Sequence, residues 1–305
     1  MKKIVIAGGS GFIGKALTKF FTEKNYEVVV LSRAENQSTY NHIRFVKWNA
    51  KTVEPLWQQE LEGAEAVINL SGKSINCRFT SANKKELLAS RIDSTNAIGY
   101  AISMCKNPPK VWYNSSSIAI YKYSETILHD EFSTKFNQDF LAEITNQWEN
   151  AVHQFSLSNT RKILMRTSLV MAKNDGVFLR LKRLTQFGLG GKQGSGAQMV
   201  SWIHINDFCR IVEHLLENKD ANGIYNFCAP HPVANKNLMK IIQQKMKIPI
   251  ALPAFKWMIK LGAILIGTEA DLILQSSNVI SKRLPDEGFQ FQYVDFKVAI
   301  TPLLS

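Results

Sequence analysis

Short apolar runs alternate along the chain with longer stretches whose apolar residues recur every three or four positions; these patterns predict buried strands and amphipathic helices. Ile4 to Ala7 is such a run, closed by Gly8 and Gly9. Ile13, Ala16, Leu17, Phe20 and Phe21 then recur with helical period, and Glu27 to Leu31 reads as a second strand. A polar loop with Asn36, Gln37 and Ser38 leads to strands expected over Ile43 to Trp48 and Ala66 to Leu70, separated by a short helix or loop over Val53 to Leu61. Leu87, Leu88, Ile92, Ala97, Ile98 and Ala101 mark a long crossover helix from Lys84 to Cys105, ended by Pro108 and Pro109. Lys110 to Asn114 enters a further strand that runs into Ser115, Ser116 and Ser117, and a helix is expected over Asp139 to Ala151.

The second half continues the pattern less regularly. Ile163, Leu164 and Met165 form a strand ending at Arg166 and Thr167, and Phe178, Leu181 and Leu184 have helical spacing. Trp202 to Ile205 and Asn222 to Phe227 read as strand segments, and Leu238 to Met246 as an amphipathic helix. Phe255 to Ile266 is apolar nearly all round, which suits a buried helix over a substrate cleft or a protein-interaction face; it is too short, and interrupted by glycine, for a membrane span. The fold class is therefore α/β: a Rossmann-type doubly wound, mainly parallel sheet with a smaller α/β C-terminal substrate-side domain. The expected boundary puts a dinucleotide-binding domain at 1–170 and the substrate-side region at 171–305, with parts of 171–230 returning to the sheet.

Composition narrows the class. With 305 residues, 45% of them hydrophobic, a sizeable core is available. The chain opens directly on strand-forming residues, which leaves no room for a signal peptide, so the expected location is cytoplasmic. Cys77, Cys105, Cys209 and Cys228 show no C-x-x-C or Cys/His clustering, so no disulfide framework and no metal site are expected. The net charge of +12 comes from dispersed residues with only short clusters such as Lys84-Lys85. An anionic cofactor and a small-molecule substrate account for it better than nucleic acid, and neither a nucleic-acid nor a membrane partner is expected.

The glycines after the first strand carry the first piece of chemistry. Gly8, Gly11 and Gly14 fall at G-x-x-G-x-x-G spacing between strand and helix. The first permits a tight turn, the second lets a pyrophosphate approach the backbone, and the third lets helix and sheet pack closely, with the helix N-terminus facing the phosphates. An NAD site commonly ends the second strand with Asp or Glu on the ribose 2′-OH. Here Leu31, Ser32 and Arg33 stand instead, and a guanidinium suits a 2′-phosphate and can stack on adenine, so NADP(H) is favoured over NAD(H). Leu70, Ser71 and Gly72 end another strand with small residues against which a cofactor can lie.

Taken with the serine cluster and Tyr121, these segments resemble the extended short-chain dehydrogenase/reductase superfamily: GGSGFIG at 8–14, NLSG at 69–72 and SSSIAIY at 115–121. In that superfamily a hydroxyl residue, a Tyr and a Lys four residues later polarise a substrate oxygen while nicotinamide exchanges hydride. Ser117 matches the hydroxyl residue. The helix DFLAEITNQWENA, where the pair belongs, offers Phe140 or Leu141 for the tyrosine and Ile144 or Thr145 for the lysine, so no Y-x-x-x-K exists. Tyr121 and Tyr123 lie too early, although an acid/base role for either stays open.

This departure points to a narrower group, and the chain resembles the atypical "epimerase family protein" or putative nucleoside-diphosphate-sugar epimerase group, also called cell-division-inhibitor-like. SRIDST at 90–95, QWE at 147–149, RTS at 166–168, GLGG at 188–191, GSGAQ at 194–198 and SWIHIND at 201–207 carry the resemblance. So does a tail that matches the group's small C-terminal domain, at about 250–305. The resemblance implies that Gly8, Gly11, Phe12, Ile13 and Gly14 hold the pyrophosphate, that Ser32 and Arg33 face the 2′-phosphate and Leu70, Ser71 and Gly72 the adenosine side, and that Arg166 lies near the nicotinamide. Ser117 and Tyr121 are the catalytic candidates. His204, Glu149 and Glu131 are substrate-side candidates, and each also admits a purely structural reading: a satisfied strand histidine, a capping or paired carboxylate, an acidic turn. Two functions follow. One is an NADP(H)-dependent epimerase or oxidoreductase of a small carbonyl or hydroxylated substrate. The other is a regulatory or scaffold protein that binds NADPH without turnover.

Overall fold

A strand that is apolar on both faces needs cover on both, and Lys3–Ala7 (β1) receives it at the middle of a seven-stranded sheet. The structure, a computed structural model, describes residues 1–34 and 42–304; the polar loop with Asn36, Gln37 and Ser38 lies outside the described residues. In chain order β1 is followed by α1 (Phe12–Glu23), β2 (Glu27–Ser32), β3 (Ile43–Lys47), α2 (Pro55–Gln58), β4 (Ala66–Asn69), α3 (Ser81–Ser103), β5 (Val111–Ser117), α4 (Phe140–His153) and β6 (Arg161–Thr167). Next come β7 (Leu169–Met171), α5 (Gly176–Gln186), β8 (Met199–Val200), β9 (Trp202–His204), α6 (Ile205–Glu217), β10 (Gly223–Phe227), β11 (Val233–Ala234) and α7 (Asn235–Lys245). The chain closes with α8 (Lys256–Leu265) and four single-turn helices, α9 (Asp271–Leu274), α10 (Arg283–Asp286), α11 (Phe296–Ala299) and α12 (Thr301–Leu304).

The main sheet has the order β10-β6-β5-β4-β1-β2-β3, with every neighbouring pair parallel. Strand order reverses at β1, and the register aligns Ala7 with Leu31 on one side and Asn69 on the other. Three strand ends therefore stop level beneath the glycine turn, at the switch point where open α/β sheets bind ligands. On one face Ile4, Ile6, Val28 and Val30 pack with Leu17 and Phe21 of α1 and Phe208 and Val212 of α6. On the other, Val5, Ala7, Val29 and Trp112 pack with Ile98 and Ala101 of α3 and Val152 of α4. A separate cluster of Met171, Phe178, Trp202, Leu238, Ile242 and Ile300 forms the core of the later chain.

Carboxylates tie that later chain to the sheet. Glu131 accepts from the Lys282 amide (2.8 Å) and the Ser281 hydroxyl (2.8 Å), and Asp207 accepts from the Gln292 (3.0 Å) and Tyr293 (2.9 Å) amides. Glu269 accepts from the Phe79 amide at 2.7 Å and pairs with Arg78 at 3.1 Å. The helix expected to be buried differs from that expectation. Only Ile259 and Ala263 of α8 are buried, and the rest of its apolar length faces outward, because one turn in contact with the body is all the packing it finds.

The turn glycines do different jobs. Gly8 sits at φ +80°, a left-handed conformation that strains other residues. A Cβ on Gly14 would lie 2.5 Å from the Gly8 carbonyl oxygen and 2.5 Å from the Gly9 Cα, both backbone atoms, whereas a Cβ on Gly11 meets only the Gly8 oxygen at 3.3 Å. Gly14→Ala should therefore lower stability by about 1–3 kcal/mol in urea unfolding, by forcing α1 off the sheet. Gly11→Val should leave the urea midpoint nearly unchanged while abolishing dinucleotide binding; a large stability loss at Gly11 would refute this division.

Candidate functional site

The level ends of β1, β2 and β4 floor a cavity of about 680 Å³ lined by Gly8, Gly11, Ser32, Arg33, Leu70, Ser71 and Gly72, with Ser10, Asn49 and Lys51 on its rim. Of the sequence candidates, these seven are brought together; Phe12 and Ile13 begin α1 and pack partly into the core beneath. The first turn of α1 is uncapped. Among the long helices packed on the sheet, α3, α4 and α6 have N-termini capped by the side chains of Thr80, Asp139 and His204, while α1 has no side-chain cap and no acidic residue in its first turn. Its unpaired N–H groups and dipole end are left for a ligand. Arg33 is exposed and makes no ion pair among the described residues.

Position within this cleft is set by a buried polar trio. The Asn69 amide donates to Asn114 Oδ1 (2.8 Å) and Thr95 Oγ1 (3.3 Å), and its own Oδ1 accepts from the Ser71 amide (3.1 Å). This fixes the turn after β4. Beside it stands Arg91, which the sequence reading quoted only as part of SRIDST. Its guanidinium is buried, lies about where a Cβ on Gly72 would touch it (3.5 Å), stacks on Trp148 at 5.0 Å and donates to the Leu87 carbonyl at 2.8 Å. No carboxylate pairs with it among the described residues. Burial pulls its pKa down to about 10, so a cation is held at a cost that an arriving anion would offset. Only its place amid the polar run Ser90 to Thr95 of an otherwise amphipathic helix signalled it in the sequence.

The catalytic candidates fall into a different constellation. Ser117 is half-buried at the end of β5, and its Oγ accepts from the Ala119 amide at 3.1 Å, which shapes the turn that follows. Its neighbour Ser116, on the opposite face, donates to Glu149 at 2.5 Å. Glu149 is gripped by Arg166 through two bonds, Nε at 2.8 Å and Nη2 at 2.7 Å, and both side chains are nearly inaccessible. Arg166 also donates to the Tyr121 hydroxyl (2.8 Å), which donates in turn to Asn226 Oδ1 (2.9 Å). The Asn226 backbone N–H then donates to Glu131 at 2.9 Å, while its side-chain amide donates to the Ile280 carbonyl.

One chain of contacts thus gathers Glu149, Arg166, Tyr121 and Glu131, with Ser116 and Asn226 as the members that the sequence reading missed. Arg166 and Glu149 line a second cavity of about 540 Å³ on the outer side of α4, not the cavity that holds Arg33. Burial pushes the Tyr121 phenol up to about 12, which makes it a poor acid or base near neutral pH. Tyr123 donates to Asp139 (2.8 Å), and burial raises its pKa too. Leu141 and Thr145 of α4 are buried, and the Thr145 hydroxyl donates to the Leu141 carbonyl at 2.7 Å, so those positions supply neither phenol nor ammonium.

His204 lies apart. Its Nδ1 accepts from the Asn206 amide (3.1 Å), capping α6, and its ring stacks on Tyr293 at 3.8 Å. Desolvation lowers its pKa to about 4, so the ring is neutral near pH 7.

Comparisons with known proteins agree with this geometry. Residues 4–228 match the NAD dependent epimerase/dehydratase family, and residues 254–303 match a domain of unknown function. An epimerase family protein of Staphylococcus saprophyticus is 32% identical over 305 residues, covering 100% of both chains. A crystal structure of a human epimerase family protein with NADPH is similar at TM-score 0.88 and 27% identity, with 99% of each chain covered. A nucleoside-diphosphate sugar epimerase from Corynebacterium glutamicum is similar at TM-score 0.80 and 25% identity, over 99% of this chain and 58% of that one.

Two outcomes test the structural roles. Glu149→Ala strands the Arg166 guanidinium in the core and should cost about 3–5 kcal/mol in urea unfolding. For His204, the ordinary value of 6.5 belongs to the unfolded chain and about 4 to the folded one. The unfolded state therefore binds the extra proton first as pH falls, and stability drops between those two values and is flat below them. His204→Asn keeps a cap and should remove about one proton's worth of that slope; an unchanged slope would place the titration elsewhere.

Proposed function

We propose that this chain, which belongs to the NAD dependent epimerase/dehydratase family, binds NADP(H) rather than NAD(H) and acts on a small carbonyl or hydroxylated substrate at the end of β5. The observation that carries the reading is the uncapped α1 N-terminus beneath Gly8 and Gly11, opening on the same cavity as Arg33, where β2 ends without a carboxylate. The α1 N–H groups take one phosphate edge of the pyrophosphate, Arg33 takes the 2′-phosphate, and Ser71 and Gly72 pass the dinucleotide over their backbone toward β5. Arg91 stands beside Gly72 as a counter-ion for the pyrophosphate, which explains why a buried guanidinium has no carboxylate of its own. The NADPH in the human relative supports the cofactor assignment.

When bound, nicotinamide supplies a hydride acceptor or donor. What the chain contributes is orientation. Ser117 offers a hydroxyl whose oxygen already accepts from Ala119 and whose proton is available to donate to a substrate oxygen. Tyr121, Glu149 and Glu131 are held in place by partners, so the proton that accompanies hydride transfer passes through water or a group on the substrate itself. The second reading, an NADPH-binding protein without turnover, is favoured by one observation: the α4 residues that the resemblance matches to the acid/base pair, Phe140 or Leu141 and Ile144 or Thr145, carry neither a phenol nor an ammonium.

Calorimetry separates these assignments. Arg33→Ala should weaken NADPH by at least about tenfold and NADH by less than about threefold, since one charge-assisted contact is lost only with the 2′-phosphate. Arg91→Gln should weaken both to a similar degree without lowering the thermal midpoint of the cofactor-free chain. Equal loss of both cofactors at Arg33 would remove the NADP assignment. Ser117→Ala should reduce hydride exchange from labelled NADPH at unchanged cofactor affinity, and absence of any exchange in the parent chain would favour the second reading.

A further inference from the structure

We propose that the exposed face of α8 is a docking surface for an anionic lipid bilayer. Trp257, Leu261, Ile264 and Leu265 lie at i, i+4, i+7 and i+8, which puts them on one side of the helix, and they are exposed by 66%, 52%, 61% and 78%. Phe187 and Ile250 are exposed too, at 80% and 64%, on two segments that the bond from the Leu252 amide to the Gly188 carbonyl lays side by side just before α8 in the chain. A soluble surface seldom gathers so many large apolar side chains without something to cover them. A Cβ built on Gly262 of α8, or on Gly267 just beyond it, would meet nothing within 4 Å, so the helix is open to solvent there as well. Ile259 and Ala263 anchor its inner side.

Charge selects the occupant. Residues 221–268 contain no Asp or Glu and six lysines, at 236, 240, 245, 247, 256 and 260. Lys256 and Lys260 are exposed and flank the apolar face of α8. A second copy of the chain would bring the same lysines against themselves with no carboxylate from this segment to pair them. A bilayer with anionic headgroups supplies apolar depth and negative charge together, and takes a convex helix without needing a matching groove. No helix among the described residues is long and apolar enough to cross a membrane, and a docked helix of this kind lies along the surface instead. The attachment bears on the cleft. Thr268 and Glu269, just beyond α8, hold Arg78 and the Phe79 amide on the segment leaving Gly72, so a docked α8 sets the mouth of the cofactor cleft toward the lipid.

The test uses the full chain and sedimentation with vesicles of phosphatidylcholine alone or mixed with phosphatidylglycerol. Binding to the mixed vesicles only, released by salt, is expected. Leu261→Glu with Leu265→Glu, and Lys256→Glu with Lys260→Glu, should each lower the bound fraction roughly tenfold or more. Their thermal midpoints should match the parent's, since all four side chains are exposed; if either pair unfolds, Trp257→Ser serves, with reduced binding and loss of the lipid-induced blue shift in emission. The proposal is overturned by failure to bind phosphatidylglycerol vesicles, or by equal binding of the variants. A dimer in analytical ultracentrifugation that Leu261→Glu with Leu265→Glu dissociates would overturn it in favour of self-association.

Discussion

The bidentate bond between Arg166 and Glu149 joins several elements of this molecule. It links β6 to α4, reaches β5 through Ser116, and through Tyr121 and Asn226 reaches β10 at the edge of the sheet. Asn226 passes the connection to Glu131, which holds residues 281–283. A buried ion pair is a weak source of net stability, because desolvation offsets most of the attraction, but removing one member leaves a charge stranded. Its contribution here is therefore specificity of arrangement: α4, the sheet edge and the C-terminal segment have one way to satisfy every member of the network. The same satisfaction denies chemistry to residues that would otherwise serve it. A carboxylate held by two guanidinium bonds and a serine is not free to take a proton from a substrate.

That constraint explains which parts of the molecule were legible in the sequence. The strands β1, β2, β4, β5 and β6 and the helices between them follow from local period, because each strand is covered on both faces and each helix on one. The cleft followed for a related reason: Gly8, Gly11 and Gly14 are close in sequence as well as in space. The network was not legible. Glu131 meets Ser281 across 150 residues of chain, and nothing at either position announces the other. Arg166 illustrates the consequence, since its place at a strand end suggests the cofactor while its side chain turns to the α4 face, as β6 alternation requires once Leu164 is assigned to that face. α8 failed for a different reason. An apolar helix reads the same whether another element covers it or not.

Several acidic residues are engaged in fastening the later chain, and this affects the outer surface. Glu131, Asp207, Glu269 and Glu287 each accept from backbone or side-chain donors in joining the later chain to the sheet. With 25 acidic against 37 basic residues, each carboxylate turned inward leaves a lysine on the outside without a counter-charge. Residues 221–268 are the extreme of this distribution.

Arg91 inverts that arrangement, being a cation turned inward with no carboxylate to meet it. In the free chain its burial opposes folding; under the proposed function, an anionic group of the cofactor beside Gly72 would pair the same charge in a water-poor setting, where the attraction is strong. A ligand that binds only the folded chain stabilises it by RT ln(1 + [L]/Kd), about 2.7 kcal/mol at a hundredfold excess over Kd. Binding and stability are then coupled through one side chain. A carboxylate placed near Arg91 would make the free protein more stable and would compete with the phosphates for the guanidinium. Among the described residues no carboxylate pairs with Arg91, although Glu86 and Asp93 of the same helix line the cavity, so α3 carries an unpaired buried guanidinium beside Gly72 whose cost an anion bound there would offset.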